Sequence, residues 1–191
     1  MNARVGAQTD ALAPAERRAL LRIAREAIAA HLARRRAVPG PPALAEPTKR
    51  GAFVSFHRKE DGELRGCVGM MRSDEPLVDT VARMAVAAAT ADGRFAPVRE
   101  DELSSLAIEI SILGPLEPIH AEEVEVGRHG LLIGYAGRRG VLLPQVPIEH
   151  GWDRETFLDN TCIKAGLPPG TWRKPGVELL AFTAEVFGEE D

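Results

Sequence analysis

The run Leu64-Arg65-Gly66-Cys67-Val68-Gly69, entered from the turn Glu60-Asp61-Gly62-Glu63, limits the fold of this chain more than any other stretch. Asp-Gly between apolar runs is the strongest short-range hairpin signal, because both residues tolerate the positive φ of a tight turn. Gly51 to Lys59 and Leu64 to Met71 therefore read as the two strands of an antiparallel hairpin. Glycines inside a strand weaken it and normally mark a bulge or the close approach of another backbone or a ligand. In an extended chain Arg65 and Cys67 share one face, which sets a guanidinium beside a thiol and favours the thiolate. Register matters here. A two-residue turn at Asp61-Gly62 sets Phe56 opposite Cys67. A slip of one residue sets Ser55 opposite Cys67 and His57 opposite Arg65, and only that second arrangement offers the thiol a proton acceptor. Cys67 is then either a nucleophile or ligand donor, or a small buried hydrophobe in a strand that the glycines merely bend.

Around this hairpin the pattern alternates between helix and strand. Leu20, Ala24, Ala27, Ile28 and His31 recur at helical spacing between Pro14 and about Arg36, with Arg17, Arg18, Arg22 and Arg25 mainly on the other side. His31 on that apolar face is read as packing. Residues 37–49 carry Pro39, Pro41, Pro42 and Pro47, whose fixed φ suits an extended connector wrapped on the surface. A second helix is expected from about Asp74, with Ser73 as N-cap and Leu77, Val81, Met84 and Ala88 as its stripe, ending at Asp92-Gly93. Leu106, Ile108, Ile110 and Ile112 then alternate with Ala107, Glu109, Ser111 and Leu113, a period-two strand with one core face.

Gly127-Arg128-His129-Gly130-Leu131-Leu132 is echoed by Gly137-Arg138-Arg139-Gly140-Val141-Leu142, which reads as two adjacent strands, each entered through a glycine turn. The last helix has clear punctuation: Asp153 to cap it, Trp152 to staple onto Phe157, and Gly166 before Pro168 to end it. Glu178 to Phe187 reads as one closing strand, followed by a frayed acidic tail at residues 188–191. The expectation is an α+β fold, mainly antiparallel sheet with flanking helices, forming a single domain over residues 1–191.

Composition removes several function classes. The formal charge is −4 with both signs interspersed, so no broad positive field attracts phosphate backbones, and nucleic acid is not the expected partner. Twenty arginines against four lysines favour fixed ion pairs and bidentate oxyanion contacts. No apolar run approaches a membrane span, the first fourteen residues lack the core of a secretory signal, and a cytoplasmic location is expected. The two cysteines, Cys67 and Cys162, have no close partner, so free thiols are expected, with neither cofactor nor metal. Cys162 lies on an apolar helical stripe and reads as core, and Lys164 reads as a dipole partner at the helix end. Arg94, in Asp92-Gly93-Arg94-Phe95, either presents its guanidinium to a carboxylate or phosphate in a cleft or is a surface residue of a helix-ending turn. Glu109 is either solvent-facing or the polar wall of a pocket, and alternation favours solvent. His129, flanked by Gly130 in a turn, is the best-placed histidine for site chemistry.

Leu64-Arg65-Gly66-Cys67-Val68-Gly69 resembles the hallmark LRGCxG segment of the AMMECR domain family. Arg94-Phe95-Ala96-Pro97-Val98, Glu109-Ile110-Ser111-Ile112-Leu113, Gly130-Leu131-Leu132-Ile133, Leu142-Leu143-Pro144-Gln145-Val146 and Lys164-Ala165-Gly166-Leu167 follow in the family's order, so the resemblance covers residues 14–187. It implies a sheet with flanking helices divided into larger and smaller interlocked subdomains. Bacterial and archaeal members, called AmmeMemoRadiSam system protein A, imply the company of a Memo-like protein and a radical SAM enzyme. The family supplies no reaction. The leading expectation is a role in a modification or redox pathway with those partners. Cys67 would be its reactive thiol, and Arg65, Gly66, Arg94, Glu109 and His129 would border a cleft for a small anionic or electrophilic group. The alternative is a non-catalytic adaptor with Cys67 inert and the glycines serving only sheet curvature.

Overall fold

The computed structural model describes residues 11–34 and 50–189, so the Pro-rich stretch 37–49 lies outside the described residues. In chain order the elements are α1 (Pro14–Leu32), β1 (Ala52–Arg58), β2 (Leu64–Met70), α2 (Leu77–Thr90), β3 (Leu106–Leu113), β4 (Glu117–Pro118), β5 (Gly130–Tyr135), β6 (Arg138–Leu142), α3 (Gln145–Glu149), α4 (Arg154–Lys164), β7 (Glu178–Phe182) and β8 (Ala184–Gly188), with short 3-10 turns between some of them. They form two compact units. The larger runs to Ile112 and resumes at Glu185, and the smaller spans Leu113–Ala184.

In the larger unit a four-stranded sheet has the order β2-β1-β3-β8. Ala52, Val54 and Phe56 of β1 and Leu106, Ile108, Ile110 and Ile112 of β3 occupy alternate positions and so share one face. They pack in one cluster with Leu20, Ala24 and Ile28 of α1 and Leu77, Val81, Met84, Ala85 and Ala88 of α2. Helix α1 starts as its sequence dictates: Pro14 fills N1, where no amide hydrogen is needed, and the Glu16 carboxylate accepts the Ala13 N–H at 2.7 Å. Its regular span stops at Leu32, short of Arg36, and Arg34 beyond it has φ 53°. Helix α2 begins at Leu77, three residues later than expected. Proline disfavours helical backbone in the residue before it, and Pro76 itself is extended (ψ 145°) and serves as N-cap, while Ser73 accepts the Glu75 N–H and bonds Thr80.

The closing strand is corrected to two. β7 pairs with β5, β8 is the neighbour of β3, and Thr183 separates them. Weak alternation over residues 178–187 was the trace of that change of sheet. The tail expected to fray from residue 188 is held at Glu189, whose carboxylate binds Arg25 and accepts the Ile108 N–H at 3.0 Å. Arg25 also reaches the Leu103 and Leu106 carbonyls at 2.9 and 2.7 Å, so one guanidinium fastens α1 to the start of β3.

The smaller unit is a sheet of order β4-β7-β5-β6 against α4. Ala136 and Gly137, both at positive φ, make the two-residue turn joining β5 to β6, so the glycine echo was a hairpin signal. Leu131 and Ile133 are buried with Phe157, Leu158 and Cys162 of α4. Asp153 caps α4 by accepting the Thr156 N–H at 2.8 Å, and Gly166 takes φ 71° just past its end. The short α3 was not expected from the sequence. Among the described residues no helix is long and apolar enough to cross a membrane.

Candidate functional site

The hairpin settles between the two registers. Ser55 lies opposite Cys67 and Phe56 opposite Gly66, but His57 lies opposite Leu64, which leaves Arg65 as the extra residue of a β-bulge. The turn causes it: Gly62 adopts φ 72° and donates to the Arg58 carbonyl at 2.8 Å, while Arg58 N–H bonds the Glu63 carbonyl at 2.9 Å, a longer loop than two residues. Across the sheet Ser55 also lies opposite Glu109 on β3. Cys67, Ser55 and Glu109 thus form one row over three strands, on the face away from the helices. Cys67 and Glu109 are half-buried, Ser55 is buried, and the Ser55 hydroxyl donates to the Cys67 sulfur at 3.1 Å.

The two glycines have packing reasons. A Cβ on Gly66 would sit 2.5 Å from the Ala88 carbonyl oxygen, so the bare backbone lets α2 lie close on β2. A Cβ on Gly69 would sit 2.1 Å from the Phe53 ring, which covers that position from the neighbouring strand.

β2 is an edge strand, and the Cys67 N–H points out of the sheet to the Asp92 carboxylate, 2.8 Å away. Asp92 is sequestered, its side chain 7% exposed, and it also accepts Arg94 Nε at 3.0 Å, Arg94 Nη2 at 2.7 Å and the Arg94 amide at 3.1 Å. Arg94 in turn donates to the Cys67 carbonyl at 3.5 Å. Together the two side chains occupy the hydrogen-bonding edge that a further strand would use. Their chemistry is mutual. The Arg94 hydrogen bonds hold the Asp92 carboxyl far below the usual carboxylate range, with help from the amides of Cys67 and Arg94 and against the effect of burial. Arg94 is held above the usual guanidinium range chiefly by Asp92, with a small contribution from Cys67.

Arg65 does not lean on the thiol. Its Nε and Nη2 bind Glu102 at 3.2 and 3.3 Å, and it shares the Phe95 ring with Arg94, the two guanidinium carbons standing 6.0 and 5.3 Å from the ring centroid. Arg65 and Arg94 are thus both brought to the Cys67 segment, and each arrives with its own carboxylate.

His57 directs Nδ1 at the Gly62 carbonyl, 3.2 Å away, and its Nε2 is buried without a partner among the described residues. His129 belongs to the smaller unit and ties a turn there, its Nδ1 accepting the Glu125 N–H at 3.1 Å. Burial and then Arg128 press its pKa below the usual imidazole value, against a smaller pull from Glu125, and the neutral ring suits that acceptor role. Cys162 is fully buried and burial pushes its thiol upward, as expected of a core residue. Asp92, Glu102 and Phe95 were missed from the sequence as members of the site. Asp92-Gly93-Arg94 did carry a signal, since an Asp after a helix end often turns back onto nearby amides. Among the described residues no cluster of three or more His, Cys, Asp or Glu side chains is arranged to hold a metal ion.

The AMMECR1 family profile matches residues 21–187, which takes in the bulged hairpin, the Asp92–Arg94 edge and nearly all of both units. The chain belongs to the AMMECR1 family. Similar AMMECR1 proteins include one from Methanothermobacter thermautotrophicus, 41% identical in an alignment of 184 positions that covers 92% of this chain and 95% of the other. One from Methanopyrus kandleri is 41% identical over 181 residues, 90% of this chain and 87% of the other. The crystal structure of an uncharacterized Pyrococcus horikoshii protein superposes with a TM-score of 0.83 at 40% identity, covering 90% of each chain. The α+β fold is therefore the fold of this AMMECR1 relative.

Proposed function

We propose that this AMMECR1 protein serves a modification or redox pathway in which Cys67 is the working thiol, alongside a Memo-like protein and a radical SAM enzyme. The partners are suggested by the family resemblance alone. The observation that carries the site is the setting of Cys67: the residue is half-buried where Cys162 is fully buried, on a backbone clamped at N–H and C=O by Asp92 and Arg94. A nucleophile needs that combination of access and fixed direction. Because both guanidinium groups are already matched by carboxylates, an electrophilic small group suits the surroundings better than a strongly anionic one.

Brief treatment with iodoacetamide at pH 7, read by peptide mass spectrometry, tests this. Cys67 is expected to alkylate at least ten times faster than the buried Cys162 and faster than N-acetylcysteine, in line with the gap between a half-buried and a fully buried cysteine. A Cys67 rate at or below that of N-acetylcysteine, together with unchanged pathway output in Cys67→Ser, overturns it.

A non-catalytic adaptor is the second reading, favoured by the packing roles of Gly66 and Gly69. It calls for a complex with one of the two partners that survives Cys67→Ala, and failure to co-purify with either counts against it.

A further inference from the structure

We propose that Ser55 is the positioning residue of the Cys67 thiol, holding the sulfur in one orientation and stabilising negative charge on it. The inference rests on the reading of Cys67 as reactive. Its ground is the bulge. With Arg65 taken out of register, Ser55 falls directly opposite Cys67, and its hydroxyl donates to the sulfur at 3.1 Å. Ser55 is buried, 9% exposed, and a buried hydroxyl is costly unless it is bonded, so the sulfur and the serine satisfy each other. A β-branched apolar residue would suit a central strand better on packing alone.

The charged and titratable groups around the pair do not replace this donor. From the loop after α2, Arg94 is engaged by Asp92; on β2, Arg65 is engaged by Glu102; on β1, His57 directs Nδ1 to the Gly62 carbonyl. From β3, Glu109 stands opposite Ser55 in the strand register. When the thiol proton leaves for solvent, the Ser55 O–H remains and its bond to sulfur becomes charge-assisted, which strengthens it.

The test is the rate of iodoacetamide alkylation at Cys67 in the full chain, read by peptide mass spectrometry at pH 7 and pH 10. The thiolate forms the S–C bond, iodide leaves, and the thiol proton has already passed to solvent. Loss of the charge-assisted bond from Ser55 removes a donor that stabilises the attacking sulfur, and the expected net fall at pH 7 is about threefold. Ser55→Ala is therefore expected to react about threefold more slowly than the native chain at pH 7 and as fast or faster at pH 10. Ser55→Thr is expected to stay within about twofold at both, since it keeps the hydroxyl. If Ser55→Ala does not fold, Thr and Val at this position, equal in shape, give the same comparison. Identical profiles with and without the hydroxyl, or an equal fall at both pH values, overturn the proposal. A native rate no faster than N-acetylcysteine, together with unchanged pathway output in Cys67→Ser, removes the reading of Cys67 itself. A fast native rate with no difference between variants removes only Ser55, and a Cys67 inert at both pH values removes both.

Discussion

Gly66→Ala is expected to destabilise the protein by about 1–3 kcal/mol, the range for forcing an extra carbon into a packed site. Two effects compete. A strand glycine replaced by alanine loses less backbone entropy on folding, which by itself stabilises by about 0.4–1 kcal/mol. Against that, the new Cβ would stand 2.5 Å from the Ala88 carbonyl oxygen, a backbone atom of α2 that no rotamer change can move. To relieve the contact α2 must lift from β2, which disturbs Val81, Met84, Ala85 and Ala88 in the main core. The clash wins. Gly93→Ala is the matched control, because nothing lies within 4 Å of a Cβ there and its φ is not positive, so the entropy effect alone is expected, a stabilisation of about 0.4–1 kcal/mol. Urea denaturation with an unchanged m-value measures both. A Gly66→Ala midpoint equal to or above that of the native protein would show that α2 does not depend on this approach.

Asp92→Asn is expected to cost about 2 kcal/mol at neutral pH, the scale for losing a hydrogen bond to a charged group. The Arg94 side chain is 57% exposed and regains water when released, so the ion pair itself adds little to that figure. What matters is the Cys67 N–H, left on an open sheet edge with a weaker acceptor. The same pair has a pH signature. Asp92 titrates lower in the folded protein than in the unfolded chain. Its contribution is therefore fully present above the unfolded carboxyl value of about 3.9 and is lost as pH falls below that. Urea unfolding at a series of pH values from 6 down to 3 should find the stability gap between native and Asp92→Asn proteins wide at the top and narrowing toward the bottom. A gap that stays constant across the series would mean that Asp92 acts by shape rather than charge.

These two positions also mark the limit of what could be read from the chain. The hairpin was legible because Asp61-Gly62 carries its own turn chemistry, and α4 because Asp153 and Gly166 punctuate it. Those signals are local. The register was not legible: it depends on a bulge at Arg65, and one displaced residue decides whether Ser55 or Phe56 meets Cys67. The reason for Gly66 lies 22 positions away at Ala88, and the reason for Gly69 is a ring 16 positions back at Phe53, so the sequence announced that room was needed without naming the occupant. Arg65 and Arg94 were recognised as cations beside Cys67, but Glu102 and Asp92, which absorb them, were hidden in stretches that read as turns. His129 looked prominent because glycine surrounds it, and those glycines belong to the entry of a strand.

The bond from Gly114 N–H to the Thr183 carbonyl, 2.8 Å long, brings together the points where the chain leaves β3 and returns to β8. Some seventy intervening residues are thus a cassette with adjoining ends, Leu113–Ala184, spliced into what would otherwise be a plain hairpin. Such a segment can be excised, lengthened or exchanged without rethreading the host, because only a tight turn is needed to close the gap. Genetic change in this segment therefore has a topological route that does not rethread the strands of the larger unit.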